Sequence, residues 1–312
     1  MVTRREFLAT AASSYVVTGL GQTLGAASMR FGYAAITWGS AIEQAMDDIA
    51  AVGFRGIQLR GESFAQFGDK PAALREMLER RKLRFAVLSS GNLSIDSARE
   101  RDELDTHMRH ARFLRDAGGA HLQIIDERPK GRAVVADDYR RLGRLLTELG
   151  KRTADVGVTT VYHHHMNSTG EKPHEVRAVL DAADRKHVRL LFDVAHYQQG
   201  GGDPVAAIRE YRDWLEVVHL KDVRESPGRT GGSAGAGGSG GANRAATPSP
   251  AFEFVELGRG RVDLPGVLAA LRAVSFDKWA IVELDRVPDA GGTPKASAEA
   301  NKRYLTEHGL AL

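Results

Sequence analysis

Residues 158–165 read Val-Thr-Thr-Val-Tyr-His-His-His, and residues 188–193 read Val-Arg-Leu-Leu-Phe-Asp. Both runs have the length and the apolar or β-branched content of strands that are buried on both faces, and both end in polar residues. Such strands are typical of parallel sheets in which a helix crosses over from one strand to the next. The two runs predict an α/β fold whose strands end in chemically active side chains.

Six further runs of strand length repeat this pattern. Together, the eight runs cover residues 31–38, 56–59, 85–89, 121–125, 158–165, 188–193, 217–220 and 279–284. Helical periodicity lies between them, as at Leu104, Met108, Ala111 and Leu114. Eight strand–helix units predict a single-domain (β/α)8 TIM barrel, and a doubly wound open sheet is the alternative.

The composition is that of a soluble globular protein, with 42% hydrophobic and 27% charged residues. The 43 basic and 40 acidic residues are mixed along the chain and give a net charge of +3, which argues against a nucleic-acid partner. The chain has no cysteine, which excludes disulfides, thiolate metal sites and a cysteine nucleophile. Any bound metal must therefore be held by His, Asp or Glu.

Residues 1–27 are similar to a twin-arginine export signal. Arg4 and Arg5 precede a mildly apolar run at residues 9–20, and small residues follow up to Ala27. The apolar run is too short and too polar for a transmembrane helix, so we expect no stable membrane anchor. The pattern predicts the export machinery as a partner and a periplasmic location for the barrel of residues 28–312. A frayed N-terminal helix is the alternative.

Residues 226–250 form a segment rich in Gly, Ser and Pro after the seventh strand run. Such a segment cannot bury enough apolar surface to offset the entropy lost on ordering, so we expect a flexible insert. Because it follows a strand, it falls on the face where barrel active sites are built. Both a lid and a tolerated surface insertion are compatible with its sequence.

Imidazole and carboxylate groups collect at the carboxyl ends of the last four strand runs. Side chains alternate along a strand, so His163 and His165 share one direction. One such group from each strand predicts a mixed nitrogen and oxygen site for one divalent ion, Mn, Mg, Co or Zn. The predicted ligands are His163, Asp193, His219 and Glu283, with His165 as the alternative on the fifth strand.

Each of these residues also has a simpler interpretation. Asp193 can cap the helix that follows it, because an Asp at a strand end often does so. Glu283 can pair with Lys221 or Arg286 in an ordinary ion pair. The three histidines can be a polar strand end.

Five segments resemble the xylose isomerase-like barrel superfamily, which includes sugar isomerases and epimerases, inosose dehydratases and an abasic-site endonuclease. They are residues 162–165 (Tyr-His-His-His), 191–196 (Leu-Phe-Asp-Val-Ala-His), 218–222 (Val-His-Leu-Lys-Asp), 256–263 (Glu-Leu-Gly-Arg-Gly-Arg-Val-Asp) and 282–285 (Val-Glu-Leu-Asp). The fifth to seventh strands look most like the inosose dehydratase branch. The resemblance runs from about residue 31 to 310, with residues 226–250 as an addition.

The resemblance implies a divalent cation held by an acid on the fifth strand, Asp on the sixth, His on the seventh and Glu on the eighth. Asp193, His219 and Glu283 match the last three positions. The fifth-strand acid is replaced by His163 or His165, and Gln58 stands where many relatives carry Glu. These departures put a symmetric proton transfer between two carboxylates in doubt.

The implied reaction begins with removal of a proton α to the carbonyl of a keto-sugar or keto-cyclitol. Glu283 is the first candidate base, and His165 or His163 is the alternative. Lys221 is a candidate donor to the oxyanion or to a departing hydroxyl, and His196 a candidate ligand, orienting group or acid. Loss of a β-hydroxyl gives dehydration, and reprotonation gives isomerisation or epimerisation; the histidine on the fifth strand slightly favours elimination.

Three residues are candidates for contact with the substrate: Trp38, Tyr197 and Arg286. Trp38 resembles the tryptophan that relatives place against the sugar ring. Three rival functions remain at this stage: a periplasmic lyase of 3-keto-glycosides, a non-catalytic sugar-binding barrel and a nuclease. The nuclease is disfavoured because Gln58, Ser89 and Ser90 stand where its additional metal ligands are required.

Overall fold

The computed structural model describes residues 29–225 and 252–311 and forms a closed parallel barrel. The strands are β1 (Arg30–Ala34), β2 (Gly56–Arg60), β3 (Arg84–Leu93), β4 (His121–Asp126), β5 (Thr159–His163), β6 (Val188–Asp193), β7 (Leu215–Leu220), β8 (Asp222–Glu225), β9 (Phe252–Val255) and β10 (Trp279–Val282). All except β8 and β9 belong to the barrel, and β1 closes it by pairing in parallel with both β2 and β10. The predicted single-domain (β/α)8 architecture is confirmed.

Helices connect the strands on the outside of the barrel. They are α1 (Ile42–Val52), α2 (Glu62–Phe67), α3 (Pro71–Arg80), α4 (Glu100–Asp116), α5 (Ala136–Ala154), α6 (Pro173–Ala182), α7 (Val194–Gln199), α8 (Pro204–Glu210), α9 (Leu264–Ala273) and α10 (Pro294–Glu307). Two connections, β2 to β3 and β6 to β7, each carry two helices. Within the described ranges, every helix is too short or too polar to cross a membrane.

An apolar layer supports the residues that were predicted to bind metal. Val161, Leu191, Val217 and Ile281 are fully buried and belong to one small cluster. Each of them stands two positions before a predicted ligand on its own strand, so the ligand projects from the same side of the strand one step nearer its carboxyl end. The fold therefore places the four predicted ligands in one layer above an apolar floor.

Some strand ends differ from the predictions. The first strand stops at Ala34, and Ala35–Trp38 form a 3-10 turn instead of continuing it. The fifth strand stops at His163, so His165 lies in the following loop rather than on the strand. The predictions for residues 1–27 and 226–250 fall outside the described residues.

The Asp222 carboxylate organises the loop between β9 and α9. It accepts hydrogen bonds from the backbone N–H groups of Val223 (2.8 Å), Gly258 (3.0 Å), Gly260 (2.9 Å) and Val262 (3.1 Å). Asp222 itself is fully buried. Gly260 passes so close that an added Cβ would lie 2.1 Å from Asp222 Oδ1, which explains why glycine is required there.

We expect Asp222→Ala to lower the free energy of unfolding by about 3–5 kcal/mol, because it leaves several buried N–H groups without an acceptor. Urea unfolding of the full chain, followed by circular dichroism, measures the change. The matched control is Asp213→Ala, since Asp213 pairs with arginines only at the surface and its loss should change stability by less than about 0.5 kcal/mol. Equal losses in the two variants would contradict the role of Asp222.

Candidate active site

The four predicted metal ligands are buried together at the carboxyl ends of β5, β6, β7 and β10. His163, Asp193 and His219 are at most 1% exposed, and Glu283 is 7% exposed. His219 Nδ1 lies 3.4 Å from Asp193 Oδ2 and 3.5 Å from Glu283 Oε2. One potential ligand atom from each of His163, Asp193 and His219 lies within 4.8 Å of the other two.

Several polar atoms in this cluster are buried without a hydrogen-bond partner among the described residues. They are Nδ1 of His163, His196 and His219, and Oδ2 of Asp193. Leaving such an atom unpaired in the interior costs on the order of 1–3 kcal/mol, so native proteins seldom keep several side by side. Imidazole nitrogens and a carboxylate oxygen facing one another are the donor set of a divalent cation site, so these residues fit a metal ion.

The electrostatics hold the ligands in the protonation state that metal binding requires. Burial lowers the pKa of His163 well below its usual range, and the neighbouring histidines and Lys221 add to this. Burial opposes ionisation of Asp193, but the charge of Lys221 and the backbone N–H of His196, which donates to its Oδ1, lower its pKa. The imidazole of His163 is therefore neutral and the carboxylate of Asp193 is ionised.

Asp193 caps the helix that follows it, as its simpler interpretation predicted. Its Oδ1 caps α7 by accepting from the N–H groups of Ala195 (2.9 Å) and His196 (2.8 Å). The backbone N–H of Asp193 in turn donates to His164 Nε2 at 3.2 Å. These contacts fix the carboxylate so that Oδ2 remains available on the side of His219.

Lys221 is a buried cation that anchors the acidic side of the cluster. Its Nζ donates to Glu283 Oε1 at 2.9 Å and to Asp285 Oδ1 at 2.6 Å, and it lies 3.5 Å from His196 Nε2. The Phe254 ring covers the ammonium group at 4.0 Å. Burial would lower the pKa of Lys221, but Asp285, Glu283 and Asp193 raise it far above its usual range. Lys221 is therefore held as a cation by two carboxylate acceptors.

His165 is the more exposed of the two histidines that line the cavity described below. Its Nδ1 lies 2.7 Å from the carbonyl oxygen of Met166, which can only accept, so in the neutral ring Nδ1 carries the hydrogen and Nε2 has the lone pair. The His165 ring packs against the His196 ring at an interplanar angle of 43°, with centroids 3.8 Å apart. This arrangement is typical of a general base whose tautomer is set by a backbone carbonyl.

A cavity of about 250 Å³ opens above the cluster. His163, His165 and Glu283 lie on one side of it, and the Arg60–Glu62 ion pair, 2.8 Å apart, lies at its edge. The remaining lining residues include the polar Ser89, Ser90, Gln123 and Asp285 and the apolar Ile36 and Ile125. Such a lining suits a small polyhydroxylated ligand.

The structure places the three candidate substrate contacts away from this cavity. Trp38 Nε1 donates to Asp48 at 2.9 Å, and Tyr197 is buried between Phe192 and Tyr211. Both side chains therefore have packing roles, and neither lines the cavity. Arg286 is exposed beyond β10 and is also absent from the lining among the described residues.

Two residues at the site were not among the predicted site residues. Asp285 lines the cavity and accepts a hydrogen bond from Lys221. The sequence signal for it was its position two residues after Glu283, which predicts the same side of the strand. Gln58 was noted only as the absence of an acid, yet its amide contacts both His219 and Glu283. Sequence could not reveal these contacts, because they join strands that are distant along the chain.

A family model described as the xylose isomerase-like TIM barrel matches residues 46–308. An inosose dehydratase of Lacticaseibacillus casei is 26% identical over 278 residues, which cover 84% of this chain and 88% of that protein. The rhizopine catabolism protein MocC of Rhizobium meliloti is 29% identical over 266 residues, which cover 80% of this chain and 76% of that protein.

Two solved structures show the same fold at low sequence identity. The IOLI protein with a bound zinc atom has a TM-score of 0.70 and 16% identity, covering 90% of this chain and 98% of that chain. The probable 3-DHS dehydratase AsbF of Bacillus anthracis has a TM-score of 0.69 and 17% identity, covering 89% and 99%. With the barrel and the family match in agreement, the chain belongs to the xylose isomerase-like TIM barrel family.

Proposed function

We propose that the protein is a divalent-metal-dependent enzyme that removes the proton α to the carbonyl of a keto-sugar or keto-cyclitol and then eliminates water. The observation that carries this proposal is the set of unpaired buried ligand atoms beneath the polar cavity. The similarity to inosose dehydratases supports the class of substrate. Isomerisation or epimerisation of a related substrate is the nearest alternative outcome.

His163, Asp193, His219 and Glu283 would hold the ion, and two imidazoles among four ligands favour Zn, Co or Mn over Mg. When bound, the ion supplies Lewis acidity toward a carbonyl oxygen and so makes the adjacent C–H more acidic. The relative that was solved with zinc supports this assignment. His196 completes a second possible ligand set with Asp193 and Glu283.

His165 is better placed than Glu283 to act as the base. Both carboxylate oxygens of Glu283 accept hydrogen bonds, Oε1 from Lys221 and Oε2 from Gln58. Burial opposes its ionisation, but Lys221, which donates to it at 2.9 Å, lowers its pKa, and this weakens it as a base. His165, in contrast, lines the cavity, and in its neutral ring the hydrogen on Nδ1 leaves a lone pair on Nε2.

His165 can carry out both proton transfers of an elimination. Its Nε2 takes the α proton, and the resulting imidazolium returns that proton to the β-hydroxyl, which leaves as water. Lys221 is not placed to protonate the leaving group, because it does not line the cavity and it donates to Glu283 and Asp285. A single free base favours elimination over epimerisation, which requires proton transfer on both faces of the substrate.

We also propose that the barrel is exported to the periplasm through the twin-arginine segment at residues 1–27. Export would favour a substrate found outside the cytoplasm, such as a 3-keto-glycoside, over an intermediate of cytoplasmic inositol breakdown. A panel containing an inosose and a 3-keto-glucoside therefore discriminates between the two substrate classes.

His219→Ala should abolish tight metal binding, because it removes the nitrogen that faces both Asp193 and Glu283. We expect about one equivalent of Zn²⁺ or Mn²⁺ in the purified wild type and at least a tenfold weaker affinity in the variant. Isothermal titration of metal-free protein measures both. The control is His187→Ala, which should bind metal like the wild type. His187 lies directly before β6, at the end of the barrel opposite the cluster, and pairs with Asp184. Unchanged binding in His219→Ala would refute the site.

His165→Gln should lower the rate of α-proton exchange by about 10²- to 10⁴-fold, because glutamine keeps the polar contacts but cannot take a proton. Exchange from D₂O into the ketone panel, followed by NMR, measures this rate. Metal content should stay at the wild-type level, which separates loss of the base from loss of the ion. The control is His308→Gln, near the end of α10. An exchange rate in His165→Gln within threefold of wild type would show that another residue is the base.

A further inference from the structure

Gln58 is a buried amide that joins two of the proposed metal ligands across the barrel. Its Nε2 donates to Glu283 Oε2 at 3.2 Å, and its Oε1 lies 2.9 Å from His219 Nε2. The side chain is 3% exposed. Its strand, β2, is a neighbour of neither β7 nor β10, so both contacts run through the barrel interior.

These two contacts fix the orientation of the amide. The Glu283 carboxylate accepts from Lys221 Nζ at 2.9 Å through its other oxygen and therefore acts as an acceptor, so the amide atom beside it is the NH₂ group. The atom beside His219 is then the carbonyl oxygen, which also can only accept. His219 Nε2 must therefore carry a hydrogen and donate it to Gln58.

The tautomer of His219 follows from this orientation. In the neutral imidazole, a hydrogen on Nε2 leaves the lone pair on Nδ1. That nitrogen is buried without a hydrogen-bond partner and faces Asp193 Oδ2 at 3.4 Å and Glu283 Oε2 at 3.5 Å. Three electron-rich atoms thus converge, an arrangement that a cation between them stabilises.

We propose that Gln58 is a positioning residue that prepares this cation site before the metal arrives. It selects the His219 tautomer whose Nδ1 carries no hydrogen, and it holds Oε2 of Glu283 next to that nitrogen. A glutamate at position 58 would still accept from His219, but it has no hydrogen to donate to Glu283 and would add a third carboxylate beside Asp193 and Glu283. The inference rests on the proposed metal site and assigns a role to a residue that does not itself bind the ion.

Two readouts on the full chain test this role. Long-range ¹H–¹⁵N NMR of the metal-free protein identifies which nitrogen of His219 carries the hydrogen, with His219→Gln used to assign the signal. We expect the Nε2–H tautomer in the wild type and in Gln58→Glu, and a mixture or the reversed tautomer in Gln58→Leu. Titration with Zn²⁺ should show at least tenfold weaker binding to Gln58→Leu, as is typical when a residue that orients a ligand is lost.

Gln123→Leu is the matched control. Gln123 is also a buried glutamine that lines the same cavity, but its amide donates to Ser89 Oγ at 3.2 Å and contacts neither His219 nor Glu283. It should keep both the wild-type tautomer and the wild-type Zn²⁺ affinity, while a thermal unfolding scan of each metal-free variant reports any general loss of structure.

The proposal is overturned if the metal-free wild type carries hydrogens on both nitrogens of His219 at neutral pH. It is also overturned if Gln58→Leu keeps the Nε2–H tautomer and binds Zn²⁺ within twofold of wild type. If His219→Ala abolishes Zn²⁺ binding while Gln58→Leu does not weaken it, the metal site stands and the role of Gln58 fails. If the wild type binds no Zn²⁺, the proposed function fails on its own, since the tautomer is still measured without metal.

Discussion

The whole site depends on the two-residue periodicity of parallel strands in a closed barrel. Val161, Leu191, Val217 and Ile281 fill the interior, and the residue two positions later on each strand is a histidine or an acid. Because β5, β6, β7 and β10 are consecutive neighbours in the barrel, those four polar side chains lie close together. The apolar floor excludes water from below, so the polar layer must find its partners within itself or in a bound ligand.

Charge balance explains how these polar side chains can be buried together in the folded protein. Lys221 neutralises part of the charge of Glu283, Asp285 and Asp193, and the Phe254 ring shields its ammonium group. A buried cation with two carboxylate partners is costly to break, because removal of either partner leaves an uncompensated charge. Lys221 therefore acts as a fixed part of the framework, which is why the proposed mechanism assigns proton transfer to the more exposed His165.

The departures from the pattern implied by the sequence resemblance replace carboxylates of the site with neutral groups. The sequence resemblance implies acids on the fifth and second strands where this chain has His163 and Gln58, so the cluster carries fewer negative charges around the proposed ion than that pattern implies. Neutral imidazoles also alter its preference among metals, since they suit Zn and Co better than Mg. A free imidazole base beside the cavity, with Glu283 engaged on both oxygens, is the combination that favours elimination.

Sequence alone determined the barrel, the strands that carry the site and the four proposed ligands, because buried strand runs and period-two alternation are local properties of the chain. It misjudged where the first and fifth strands end. Trp38 and Tyr197, which it predicted to contact the substrate, pack against Asp48 and Tyr211, and their contact with a substrate stays a prediction. Only the tertiary structure decided that Lys221 is saturated, that His165 is open and that Gln58 bridges His219 and Glu283. Those outcomes depend on contacts between residues up to 225 positions apart. Closure of the barrel sets the distances between these residues, and no periodic pattern in the sequence indicates them.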